Sequence, residues 1–237
     1  MNEERIAKQK LNIILLIDAS KSMAGERIGQ VNKAVQDIQQ YLKDLQVENS
    51  NVDFYLTLIP FNNGAYFYDN KECINIDDLH YQGIKCGGWS NLHCAYEKLG
   101  EILLKENKGG IMPDFGGAAP IILLLTDGHP TGDTYKEELA KIKSLPWFKA
   151  ALRYGIAIEL KDARTMNVLH DFVGNNGDVI QCFDASLLKN IIKIIVLTAS
   201  KVKSTTSNVS YQPHQTQNVV AQQLIAEALN DVDSLEW

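Results

Sequence analysis

Apolar and polar positions alternate between two regimes along this chain. Leu11 to Ile17 is a continuous apolar run, as expected of a strand buried on both faces of a parallel sheet. Ile28, Val31, Val35, Ile38, Leu42 and Leu45 then recur at steps of three and four, the stripe of an amphipathic helix. That helix opens near Ala24 or Gly25 and closes at Asn49-Ser50-Asn51. Val52 to Phe61 alternates and predicts a second strand. Asn62-Asn63-Gly64 reads as a turn, with Ala65 to Tyr68 as an edge strand. Residues 70–90 are irregular. A helix follows from Asn91, capped by Ser90 or Asn91, with Leu92, Ala95, Leu99, Ile102 and Leu103 on its apolar face.

Ile121 to Leu125 is a third buried strand. The rest predicts a helix over Tyr135 to Lys143, capped by Asp133 or Thr134, and a strand over Ala150 to Leu160. A helix over Ala163 to Val173, a short strand over Val179 to Phe183 and a helix over Ser186 to Val202 complete the pattern. Strands alternating with helices imply an α/β fold, a doubly wound and mostly parallel central sheet flanked by helices. This domain is expected over residues 8–203. Residues 204–218 have the polar composition of a linker. Residues 219–237 carry Val220, Leu224, Ala228 and Leu229 at helical spacing, and residues 204–237 hold four acids and no Lys or Arg, an acidic amphipathic C-terminal helix.

Three loops after apolar segments carry chemistry. Asp18-Ala19-Ser20-Lys21-Ser22 sets one carboxylate and two hydroxyls at alternating positions. Gly88-Trp89-Ser90-Asn91 opens a helix, and Thr126-Asp127-Gly128 ends a strand. Hard oxygen donors suit a small hard cation such as Mg²⁺. A single carboxylate beside neutral hydroxyls leaves such an ion electron-poor and able to accept an outside anion.

The order strand, Asp-x-Ser-x-Ser, long amphipathic helix resembles the von Willebrand factor A family over about residues 8–203, and the other two loops fit in order and distance. The resemblance implies a metal-ion-dependent adhesion site, with Mg²⁺ as the expected ion and Mn²⁺ or Ca²⁺ as alternatives. It implies that Ser20 and Ser22 bind the metal directly, that Asp18 and Asp127 act mostly through bound waters, and that Ser90 is the third hydroxyl. It also implies a non-enzymatic role, in which a partner protein supplies a carboxylate to the metal. Ser90 replaces the family's more usual Thr, and Trp89 and His93 stand where small residues are common. The Thr126-Asp127-Gly128-His129-Pro130 loop and the chain's size are most similar to the bacterial TerY group, named for tellurite resistance. That likeness implies stress-response or defence complexes with kinase- or phosphatase-type partners. The zinc ribbon of many TerY proteins has no counterpart here; the acidic tail stands in its place.

Composition narrows the alternatives. Net charge is −6 with no basic stripe, which argues against nucleic acid. No apolar run reaches membrane-spanning length, and the polar N-terminus lacks the features of a signal peptide, so a cytoplasmic protein is expected. Cys73, His80, Cys86, His93 and Cys94 lack the Cys-x-x-Cys spacing of a zinc knuckle. The competing function is a Mg²⁺-dependent phosphoester hydrolase. Position 20 is Ser where such an enzyme usually wants a second acid, and Lys21 is expected to point away from the serines. Self-association, with Glu227 or Asp231 of one copy reaching the metal of another, is a further expectation.

Overall fold

The computed structural model describes residues 8–48, 51–159, 163–174 and 177–204. The acidic helix expected at 219–237, with Glu227 and Asp231, and nearly all of the linker before it lie outside the described residues, as do Asn49 and Ser50.

Strands β1 (Gln9–Asp18), β2 (Val52–Phe61), β3 (Ile74–Asn75), β4 (Ile121–Thr126), β5 (Leu152–Ile158) and β6 (Gly177–Cys182) form one sheet in the order β3-β2-β1-β4-β5-β6. Every pairing is parallel except the antiparallel edge contact of β3 with β2. The connecting helices are α1 (Glu26–Glu48), α2 (Leu92–Ile102), α3 (Tyr135–Ser144), α4 (Pro146–Ala150), α5 (Ala163–Val173) and α6 (Ala185–Ser204). The expected doubly wound α/β fold is present.

The central strands β1 and β4 carry long apolar runs because both faces are covered. Ile13, Leu15 and Ile17 of β1 face a core shared with Val31, Val35 and Ile38 of α1 and Leu188 and Ile191 of α6. Ile14 and Leu16 face a second core with Leu99 of α2, Leu139 of α3 and Phe172 of α5. Successive side chains of a strand point to opposite faces, so one uninterrupted run feeds two cores.

Two expectations fail in instructive ways. Ala65 to Tyr68 does not form an edge strand. It contributes only an isolated bridge between Ala65 and Phe61, and the edge is taken by the two residues Ile74–Asn75. A run of aromatics after a turn suits a strand but does not supply a pairing partner, and the chain turns at Asp69 and Asn70, both at positive φ. The strand expected from Ala150 begins at Leu152, because Pro146 opens the short helix α4, suiting its fixed φ and missing N–H.

Arg153 explains how α4 and α5 end against β5. Its buried guanidinium donates to Val173 O from Nε (3.1 Å) and Nη2 (2.9 Å), and from Nη1 to Phe148 O and Ala151 O. These include carbonyls at helix C-termini, which lack intrahelical donors and favour a cation. Burial pulls the guanidinium pKa down to about 10, still charged at neutral pH. Arg153→Met should therefore lower stability by about 1–3 kcal/mol, the cost of leaving buried acceptors unpaired. A chemical denaturation midpoint equal to wild type would show that these carbonyls find other donors.

Among the described residues, no helix is long and apolar enough to cross a membrane. The chain order reverses between β1 and β4. Asp18 ends β1 and Thr126 ends β4, so both carboxyl ends open onto one crevice at the switch point, where open α/β sheets bind ligands.

Candidate metal centre

Asp18 is wholly buried at the end of β1. Its Oδ1 accepts from the Ser20 N–H at 2.8 Å. Its Oδ2 accepts from Ser90 Oγ at 2.9 Å and Thr126 Oγ1 at 2.7 Å. Burial pushes its carboxyl above the ordinary value, and these hydrogen bonds pull the other way. The hydroxyls of Ser20 and Ser22 lie 3.1 Å apart, and Ser22 Oγ donates to Asp127 Oδ1 at 2.8 Å. Ser90, Asp18, Ser20, Ser22 and Asp127 thus form one continuous run of contacts. All five residues expected at the site are brought together.

Local structure explains the convergence. Ala19 N–H donates to Phe61 O, continuing the β1–β2 pairing one residue beyond the strand. Gly87 N–H donates to Ala19 O and Lys21 N–H to Gly88 O, which stitches the Ser90 loop to the Asp18 loop. Ser90 and Thr131 exchange bonds, Thr131 N–H to Ser90 O at 2.8 Å and Ser90 N–H to Thr131 Oγ1 at 3.2 Å. Asn91 is the residue that precedes α2, and its side chain makes no cap hydrogen bond. The Ser90 hydroxyl is spent on Asp18, 72 positions away, so it joins the Asp18 cluster and does not cap α2.

Sequence reasoning missed a second layer. Arg27 Nη1 donates to Asp127 Oδ2 at 2.5 Å and its Nε to Glu159 Oε2 at 3.0 Å. Gln30 Nε2 holds the other Glu159 oxygen at 3.1 Å. Glu159 stands at φ 49°, in the left-handed region a non-glycine residue seldom adopts, and directly follows β5. A signal was present for Arg27: it sits in the first turn of α1, where the helix dipole disfavours a cation. Thr126 was quoted as part of its loop and given no role. As the single polar residue of an otherwise aliphatic strand, it supplies a buried hydroxyl to Asp18.

The site floors an open cleft of about 620 Å³ lined by Ser20, Lys21, Ser22, Trp89, Ser90 and His129, among others. Lys21, expected to point away from the serines, lines it too. The donor set fits a hard divalent cation. It offers neutral hydroxyls and two carboxylates, and the Asp18 contacts are with neutral donors, so its buried negative charge is well suited to a cation.

The Cys and His residues of positions 73–94 do not gather. Cys73 bonds Asn12 of β1, Cys86 packs in the α1 and α6 core, and Cys94 bonds its neighbour His93 on α2, across the sheet. Among the described residues, no three His, Cys, Asp or Glu side chains are grouped to hold a metal ion. A pattern confined to those residue types also passes over the Asp18 site, whose donors are largely hydroxyls.

A family model described as the von Willebrand factor type A domain matches residues 12–193. The chain is 32% identical over 130 residues to inter-alpha-trypsin inhibitor heavy chain H4 of Bos taurus, covering 52% of this chain and 13% of that protein. It is 28% identical over 145 residues to heavy chain H1 of Sus scrofa, covering 58% and 15%. The chain therefore spans less than a sixth of the length of these relatives. Among solved structures, a von Willebrand factor type A protein from Catenulispora acidiphila is similar at a TM-score of 0.58 with 13% identity, over 81% of this chain and 43% of that one. Proximal thread matrix protein 1 from the mussel byssus, with a zinc-occupied metal-ion-dependent adhesion motif, is similar at 0.52 with 17% identity, over 82% and 48%.

Proposed function

We propose, from the premise that this chain belongs to the von Willebrand factor type A domain family, that it is a non-enzymatic interaction module presenting a divalent cation to an acidic side chain of a partner protein. Ser20, Ser22 and Ser90 would hold the ion through hydroxyls, and Asp18 and Asp127 mostly through bound water. Mg²⁺ is the ion we favour, with Mn²⁺ or Ca²⁺ able to use the same oxygens. Once bound, the ion supplies Lewis acidity toward a carboxylate oxygen.

The observation that carries this reading is the charge balance. Two buried carboxylates stand in the cluster beneath the cleft, and Asp127 is already paired with Arg27. The remaining donors are neutral, so the set under-neutralises a divalent ion and favours an anionic ligand from outside. Lys21 at the cleft wall adds positive charge in a chain whose net charge is −6. That the similarly folded mussel protein holds zinc at its metal-ion-dependent adhesion motif is further support.

Residues 8–203 form the domain in this proposal, followed by a linker at 204–218 and an acidic helix at 219–237 whose Glu227 or Asp231 could serve as the acid for a second copy. The Thr126-Asp127-Gly128-His129-Pro130 loop supports a finer place near the TerY group, with a cytoplasmic setting and kinase- or phosphatase-type partners in a stress-response complex.

Calorimetric titration of the full chain with Mg²⁺ and with Mn²⁺ tests the reading. Saturable uptake at a single site is expected, together with proteins that co-purify in Mg²⁺ and leave in EDTA. Absence of cation uptake by the folded chain would remove it.

A further inference from the structure

Trp89 is 69% exposed, yet it stands on a loop hydrogen-bonded on both sides. Gly88 before it sits at φ 79°, and a Cβ there would lie 2.5 Å from Asn63 Oδ1, so only glycine fits without displacing Asn63. The Trp89 N–H donates to that same Asn63 Oδ1 at 2.8 Å. Asn91 Nδ2 returns to Asn63 O at 2.9 Å, and Asn91 N–H donates to Asn62 O. On the other side, Gly87 and Gly88 are bonded to Ala19 and Lys21 of the Asp18 loop. The backbone on both sides of Trp89 is therefore fixed relative to Ser20, Ser22 and Ser90.

An indole carries a large apolar area, and a single aromatic side chain has few torsions to immobilise on binding. Held on a fixed backbone at the rim of a cleft, it costs a partner little ordering and offers a surface to cover. Anchors of this kind dominate binding energy at interfaces. The same cleft contains Lys21 and the hydroxyl cluster, so its chemistry is an apolar rim beside an acid-seeking floor.

We infer that Trp89 is the specificity-determining contact of this cleft, and that the partner it fits is an extended segment in which the Asp or Glu entering the site has a bulky apolar residue within two positions. Trp89 adjoins Ser90 in the chain and both line the cleft, and side chains two residues apart in an extended segment share a face about 7 Å apart, a spacing suited to such neighbours. This rests on the acid-binding reading of the same cleft and adds to it the identity of the neighbouring residue.

The test is an immobilised array of acetylated, amidated pentapeptides with Asp or Asn at the centre. Each flanking position is varied among Ala, Leu, Phe, Lys and Glu, and the array is probed with the full chain in Mg²⁺ and in EDTA. Leu or Phe at one flank should raise retention over Ala by roughly fivefold to tenfold. Trp89→Ala should abolish that gain while keeping the preference for Asp over Asn, and Trp89→Phe should keep part of it. A flank gain that survives in Trp89→Ala overturns the inference. So does an Asp-dependent wild type with no flank preference. Loss of Asp-over-Asn discrimination in the wild type would sink the acid-binding reading and this inference together.

Discussion

Asp18→Asn should become nearly insensitive to Mg²⁺ and, in EDTA, at least as stable as the wild type at neutral pH. The argument begins with burial. The Asp18 carboxylate is wholly buried and its hydrogen-bond donors are neutral, so its charged form is disfavoured in the ion-free protein and burial raises its pKa above that of an ordinary carboxylate. The folded state therefore holds this proton to higher pH than the unfolded chain does. For an acid shifted in that sense, folding stability falls as pH climbs through the interval starting at the unfolded value, and stays reduced above it. Asn keeps the shape and one carbonyl for the Ser20 N–H, and the rotatable hydroxyls of Ser90 and Thr126 can turn to accept from its amide.

The metal reverses the sign for the wild type alone. At a Mg²⁺ concentration about 100 times Kd, the wild type gains about 2.7 kcal/mol by mass action. The variant loses one of two carboxylates and should bind the ion about 100-fold more weakly, so it gains only about 0.4 kcal/mol and its unfolding midpoint barely moves. Thermal unfolding in EDTA and in Mg²⁺, from pH 4 to pH 8, measures all of this. Equal stabilisation of both proteins by Mg²⁺ would exclude Asp18 from cation binding.

The reach of the sequence differed sharply between elements and had physical causes. Elements long enough to show a period were read closely: β2 spans Val52–Phe61 and α5 spans Ala163–Val173, as expected. The two-residue β3 has no period to read, and Ala65 to Tyr68 had strand-favouring aromatics without the pairing. At the site, Asp18, Ser20 and Ser22 were legible because they are adjacent in sequence, and Ser90 and Asp127 because their loops follow in a recognisable order. Glu159 was invisible. It acts through Arg27, 132 positions away, and nothing in the run after β5 marks a residue at positive φ. The residues proposed to touch an ion follow a local grammar, whereas Arg27 and Glu159 behind them depend on how the strands are ordered.

Arg27→Met is the variant that separates holding the ion from leaving it reactive. Arg27 is 34% exposed at its side chain and clamps Asp127, which is almost fully buried. Its own position is fixed by Glu159, first through the hydrogen bond that also raises its pKa, and Gln30 steadies Glu159 in turn. The guanidinium has two opposing effects on a cation. It orients the carboxylate, which favours binding, and it offsets the carboxylate's charge, which opposes binding.

Magnitudes decide between them. Unit charges about 6 Å apart interact by about 0.7 kcal/mol in bulk water and about 3 kcal/mol at an effective dielectric of 20. The part-buried Arg27–Asp127 hydrogen bond orients the carboxylate for about 0.5–1.5 kcal/mol net, and Ser22 Oγ still holds Asp127 when Arg27 is gone. Charge should win. Arg27→Met should bind Mg²⁺ roughly tenfold to a hundredfold more tightly, while an Asp-centred peptide binds the loaded protein more weakly, because the freed carboxylate now neutralises the ion. Calorimetry for the metal and peptide retention in saturating Mg²⁺ give the two readouts. Both affinities falling together would show that Arg27 serves chiefly to orient Asp127. Opposite changes would show that the chain gives up metal affinity to keep the ion open to a foreign acid, which is the behaviour expected of a site built to hold a partner.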